Sequence, residues 1–231
     1  MSTSKVNISQ ERDRVNQDIA PLHHPSFIPD PTVAISNPPF WRNTILRQIS
    51  LLTFVLSCLP DVEYFRRLLA CTELPNLWKA ITSISFPYFY QFAGIRDNRT
   101  SNPYIDVCNG LIHLEKLSLT FHTAGLTTSV WKEKDRIALE NQGLLEKSKE
   151  LRVMRASEVI AHYKLEDVFE LKVLSVLELI LINSELVGHF VKVGSVLTPL
   201  KDLQDYFKEG FSRQGRKVQV DMILLPVPYT G

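Results

Sequence analysis

Cysteine is scarce in this chain: 231 residues contain 3, namely Cys58, Cys71 and Cys108. So small and odd a number excludes a disulfide framework. The 9 glycines are scattered. They form no Gly-x-x-x-x-Gly-Lys run to cradle phosphates and no Gly-x-Ser-x-Gly nucleophile elbow. Neither Cys-x-x-Cys nor His-Glu-x-x-His occurs, which removes the common zinc spellings. An excess of charge is lacking too, since 26 Lys and Arg stand against 25 Asp and Glu, a net charge of +1. That balance argues against a nucleic-acid partner or an anionic membrane partner. Long hydrophobic runs are also missing. Leu51–Leu59 is interrupted by Thr53 and Ser57, and Val173–Ile182 by Ser175 and Glu178. Both fall far short of the ~20 residues that span a bilayer. The first residues form no apolar leader, so the expected compartment is intracellular, cytoplasmic or nuclear. Reduced thiols and unused sequons at Asn7 and Asn98 go with that expectation.

What is present divides the chain into three. Residues 1–20 are polar, and Pro21, Pro25, Pro29, Pro31, Pro38 and Pro39 follow closely. Proline fixes its own torsion and turns its predecessor away from helix. Residues 1–39 therefore read as a disordered tail and a Pro-rich arm. From Asn43, apolar residues at Ile45, Ile49, Leu52, Leu56 and Leu59 keep helical spacing. Pro60 and Asp61 open a second run through Val62, Phe65 and Leu69. Residues 40–75 are accordingly expected to be a helical pair. Over 76–231, period-two segments suggest strands near Ile81–Phe86, Lys116–Phe121, Leu151–Arg155, Leu177–Ile182 and Lys217–Leu224. Helical segments lie between them, near Glu133–Lys149, Leu165–Leu171 and Pro199–Glu209. The last starts on Thr198-Pro199 and carries the stripe Leu200, Leu203, Phe207 and Phe211. Alternating strand and helix implies an α/β fold with parallel strands. The helices either cover both faces of the sheet or lie on one side of a stack.

The spelling of two segments favours a stack. Leu111-Ile-His-Leu114-Glu-Lys-Leu117-Ser-Leu119 has leucines at steps of three, three and two, and Leu171, Leu174, Leu177 and Leu179 repeat those steps. Leu74 and Leu77 followed by Ile81, Ile84 and Phe86 give a weaker version. This is leucine-rich-repeat spelling, in which a turn feeds a short strand and neighbours bury each other's apolar faces. The whole is thus expected to be a short helical pair followed by a leucine-rich-repeat-like parallel strand/helix stack.

The stretch Ile49–Pro60, then Asp61–Cys71 and Leu77-Trp78-Lys79-Ala80-Ile81, resembles an F-box. The downstream segments Leu111–His122 and Glu170–Asn183 are similar to the leucine-rich regions of fungal F-box-type proteins. The resemblance covers roughly 45–224 and departs from the family's pattern at Cys71–Pro75. It implies a substrate-recognition or scaffold protein. Its partner would be a Skp-type ubiquitin-ligase adaptor facing Phe54, Leu56, Leu59 and Pro60, with a target on the strand face.

Residues suited to catalysis are sparse. His113-Leu-Glu115 lacks the Pro-Cys-x-x-Cys half of a zinc deaminase. His113 and His122 stand at opposite pleat parity on one expected strand. Cys71 lies beside Arg66 and Arg67, but on a face expected to be buried. His23 and His24 lie in the Pro-rich arm with no further ligand spacing. No cofactor, metal or catalytic residue is expected. More telling is Phe86-Pro-Tyr88-Phe89-Tyr90-Gln-Phe92, where five rings occupy seven residues. Alternating rings cannot all enter one core, so Tyr88, Phe89, Tyr90 and Phe92 are candidates for a recognition patch. The competing expectation puts Phe86, Phe89 and Phe92 in a core turn. The function expected is a non-enzymatic protein–protein interaction module. The alternatives are a small α/β enzyme or ligand-binding domain with a pocket at the strand C-termini, and a piece of a longer repeat protein.

Overall fold

The computed structural model describes residues 3–14, 25–28, 30–92 and 100–225. Nine strands lie among them: β1 (Ser4–Asn7), β2 (Leu52–Val55), β3 (Ser83–Phe86), β4 (Lys116–His122), β5 (Thr127–Ser129), β6 (Leu151–Val153), β7 (Val176–Ile182), β8 (Val191–Val193) and β9 (Gln219–Leu225). The longer helices are α1 (Ile8–Arg14), α2 (Leu59–Leu69), α3 (Pro103–Asn109), α4 (Glu133–Asn141), α5 (Ala156–Tyr163) and α6 (Leu197–Arg213). The fold is α/β. Its main sheet has the order β1-β2-β3-β4-β7-β9, parallel throughout and in chain order. A three-stranded sheet, β5-β6-β8, is formed from the segments that leave β4 and β7.

Crossovers of the usual right hand between parallel strands laid down in chain order bring their helices to one side. Burial follows that geometry. Val6, Phe54, Ile84, Leu117, Leu177 and Val220 stand in register across the sheet. Five of these six, all but the half-buried Val6, are buried. Phe86, Leu119 and Leu179 make the next buried row. Over them α2 packs on α3, α3 on the 3-10 turn Leu165–Glu170, and α5 on α6. The α6 stripe lies as its spacing predicts, with Leu200, Leu203, Phe207 and Phe211 all in the core. That helix starts at Leu197, two residues ahead of Pro199, and just before it the Ser195 hydroxyl accepts from the Leu197 N–H at 3.4 Å.

The leucine-spelled segments share one geometry. The N–H of Leu77, Leu114 and Leu174 donates to the carbonyl of Leu74, Leu111 and Leu171, at 3.2, 3.1 and 3.3 Å. Just before each strand, a carbonyl accepts from the next unit. Thr82 O receives Glu115 and Lys116 N–H at 2.9 Å, Glu115 O receives Ser175 at 2.8 Å, and Ser175 O receives Gln219 at 2.8 Å. Where β9 follows without such a turn, the Arg216 guanidinium donates instead to the carbonyls of Phe169, Leu171 and Leu174 while resting on the Phe211 ring.

Several expectations are corrected. Ser4–Arg14, assigned to a disordered tail, is a strand and a helix. β1 pairs with β2, and Ile8 is buried. The cause is tertiary. Buried Asp61 accepts from Ser9 Oγ at 2.6 Å and from the Ser57 and Cys58 N–H groups, and Arg12 Nε lies 3.4 Å from its other oxygen. The arm is partly docked as well, with Ile28 and Ala34 buried and Phe27 edge-on to Phe54. His23 and His24 lie outside the described residues.

The helical pair of 40–75 is also corrected. Helix ends at Ile49, and Leu52–Val55 is a central strand. A short apolar run does not reveal its own period, and here pairing on both sides decides for strand. The expected helix 133–149 breaks at Gly143, whose φ of +75° is left-handed. Leu165–Glu170 winds as 3-10 rather than α. Strands β1, β2, β5 and β8 and helices α1, α3 and α5 were not anticipated.

Candidate functional site

The face of the main sheet away from the helices is open. Lys116, Val176, Glu178, Ile180, Ile182 and Ile223 are half-exposed along it, while short Thr53, Ser83, Ser118 and Thr120 sit down between their neighbours. The hydroxyls of Thr53 and Ser83 lie 3.0 Å apart. Glu178 joins Lys116 at 2.6 Å and accepts from Ser118 at 2.6 Å, so these two charges are matched, while Asp221 stands beside Glu178 on β9 and accepts from Gln219. Toward the strand C-termini the face turns apolar, as Thr120, Ile180 and Ile223 and then His122, Ile182 and Leu225 come into register. Two aromatics extend that end. The Tyr90 ring is 5.1 Å from His122, and Tyr88 is 6.2 Å from Tyr90.

The aromatic stretch is therefore divided. Tyr88 is exposed and Tyr90 half-exposed, while Phe86, Phe89 and Phe92 are buried. Phe89 and Phe92 are thus corrected from a patch to the core. Phe89 packs on Phe86, Tyr104, Phe121 and Tyr163. The cause is the 3-10 turn Phe89–Gln91, which carries alternate rings to opposite sides. Phe54 and Leu56, expected to face an adaptor, are corrected in the same way. Both are fully buried, and Phe54 lies against Phe65 at 5.3 Å. Leu59 is half-buried against the core, and Pro60 is exposed in the first turn of α2.

A cleft of about 730 Å³ opens beyond the C-terminal ends of β3 and β4. Its floor is Tyr163 at the end of α5. That ring stacks on Phe89 at 5.3 Å, and its hydroxyl points at the Gly125 carbonyl, 2.9 Å away. A Cβ on Gly125 would stand 2.4 Å from that hydroxyl, so only glycine fits. Asn102, fully buried, caps α3 by accepting from Tyr104 N–H at 3.0 Å and donates to the Tyr163 carbonyl at 2.8 Å. On the rim, Arg152 grips Glu158 at 2.9 and 2.8 Å, and the Arg155 N–H donates to the same carboxylate at 2.8 Å. The Arg152 guanidinium, first of all, holds Glu158 down at about 2. His162, also on the rim, is held below the ordinary imidazole value by burial, which outweighs its hydrogen bond to the Phe92 backbone. His122 is lowered by burial too, and its Nδ1 accepts from the Ala124 N–H at 3.1 Å.

The remaining candidates do not converge. His113 and Glu115 are exposed ahead of β4, at the opposite end from His122. Burial raises the Cys108 thiol far above its ordinary value and raises that of Cys58 as well. Among the described residues, no three His, Cys, Asp or Glu side chains are grouped to hold a metal ion, and no helix is long and apolar enough to cross a membrane. The cleft residues Arg152, Glu158 and Tyr163 were missed from sequence. The only trace of them was the Arg155-x-x-Glu158 spacing at the start of a helix. No family model, curated protein or solved structure matches this chain.

Proposed function

We propose that the chain is a non-enzymatic protein-recognition module of leucine-rich-repeat-like build. It would read its partner across the open face of the main sheet. The observation that carries the reading is the grading of that face: charged residues, among them the Lys116–Glu178 pair, at one end, and isoleucines with Tyr88, Tyr90 and His122 at the other. Exposed aromatic and aliphatic anchors beside a polar rim are the makings of a protein interface. The repeated turns at Leu74, Leu111 and Leu171 support the repeat-like part of the proposal. The target-recognition half of the F-box-type resemblance is kept. Adaptor binding is left out, because Phe54 and Leu56 lie in the core.

Cross-linking mass spectrometry on the full chain in a native extract tests this. Partner cross-links should concentrate on Lys5 and Lys116, which lie on or beside the face. They should disappear in a double variant, Ile180→Glu with Ile223→Glu, whose circular dichroism matches the parent. Cross-links that persist in the double variant, or that fall only on the helical side, would overturn the reading.

A further inference from the structure

The cleft over Tyr163 is a built cavity that shares Tyr90 with the sheet face and is otherwise separate from it. Its size, about 730 Å³, lies within the range of small-molecule sites, and it opens at the strand C-termini where α/β sheets commonly hold ligands. Its floor is fixed before anything binds. Tyr163 is locked by its stack on Phe89, by its hydroxyl on Gly125 and by Asn102 on its carbonyl.

The chemistry of the walls restricts the ligand. Tyr90, Phe92 and His162 supply ring surfaces, and Met154 and Ala161 add apolar surface that adapts to a flat shape. A phosphate or carboxylate would have to displace Glu158, which already occupies Arg152 at two points. A cation would meet Lys164 on the same rim. With Arg152 and Glu158 occupied by each other, Lys164 is the remaining charge among the lining residues and the walls are otherwise uncharged. His162, lowered by burial, stays uncharged near neutrality, and with one nitrogen given to the Phe92 backbone the other is left as an acceptor. Thr127 and Thr128 also line the cleft, with the Thr127 hydroxyl donated to the Ala124 carbonyl at 3.4 Å.

We propose that this cleft binds an uncharged, planar aromatic small molecule bearing an N–H or O–H on its ring edge. The inference stands whether or not the sheet face binds a protein.

The test is a titration of the ¹⁵N-labelled full chain with indole, with inorganic phosphate and tetramethylammonium as charged comparators. Indole should shift the amides of Thr127, Thr128, Met154 and His162 saturably and show intermolecular NOEs to the Met154 methyl. Neither ion should shift these amides. Ala161→Trp, at an exposed position on α5, should fill the cleft and weaken indole at least tenfold in a chain of unchanged circular dichroism. If that variant does not fold, the NOEs in the parent decide alone. Absence of saturable shifts at these amides, equal or tighter binding of either ion, or undiminished indole binding by a folded Ala161→Trp would overturn the proposal.

Discussion

The two sheets are held by different forces. Rows of fully buried side chains cross the six-stranded sheet, and aromatic rings from Phe86 to Tyr163 pack over its middle. In the three-stranded sheet, no residue of β5, β6 or β8 is fully buried. The neighbouring α4 has no buried residue either. This small sheet is held by its own ladders and tied to α5 by the Arg152–Glu158 pair. Apolar burial contributes roughly 25 cal/mol per Å², whereas a half-exposed ion pair contributes at most about 1 kcal/mol. The difference teaches that stability is concentrated away from the cleft rim, where local opening is cheap.

The largest expected effect breaks the main sheet. Phe89→Ala removes a ring touching four other aromatics and should cost about 3–5 kcal/mol in chemical denaturation. Next comes the joint between α3 and α5 over that sheet. Asn102→Ala removes the cap of α3 and strands the buried Tyr163 carbonyl, for about 2 kcal/mol. A loss under half of that would mean that α3 and α5 are not coupled through Asn102.

Smaller, and confined to the small sheet, is the effect of acid. Glu158 is held at about 2 when folded, against about 4.3 when unfolded. A depressed carboxyl stabilises above its unfolded value, and that contribution is lost as pH falls from about 4.3 through about 2. Glu158→Gln should cost about 0.5–1 kcal/mol at pH 7 and clearly less at pH 2, measured as hydrogen exchange of the β5 and β6 amides. An equal difference at both pH values would show that the ion pair is not the cause. Smallest of all, Leu186→Ser at a 79 % exposed position should move stability by less than about 0.5 kcal/mol.

How much was legible follows the same division. β4 and β7 declared themselves because Leu117, Leu119 and Phe121, and Leu177, Leu179 and Leu181, alternate with polar or half-exposed residues along a one-sided sheet. α6 declared itself by its stripe. β1 did not, since Ser4-Lys-Val-Asn7 holds one large apolar residue and owes its place to β2 and to Asp61. β2 was hidden because Ile45, Ile49, Leu52, Leu56 and Leu59 keep helical spacing across a change of period at Ser50. In the site, the surplus of rings at 86–92 was legible, but which rings turn outward depends on a 3-10 turn that their order does not specify. The Arg152–Glu158 pair joins a strand to a helix, so no spacing within one element announces it.

Chain-order pairing also has a mechanical side. Ser4 and Leu225 belong to strands on opposite edges of the main sheet. Tension applied between those ends pulls along the hydrogen bonds rather than along the strands. The ladders are then loaded in series, and the weakest yields first. The β2–β3 ladder pairs three residues, against four in β1–β2 and in β3–β4 and seven in β4–β7, and β1 is further anchored through Ser9, Arg12 and Asp61. Under load this protein would part first between its second and third strands.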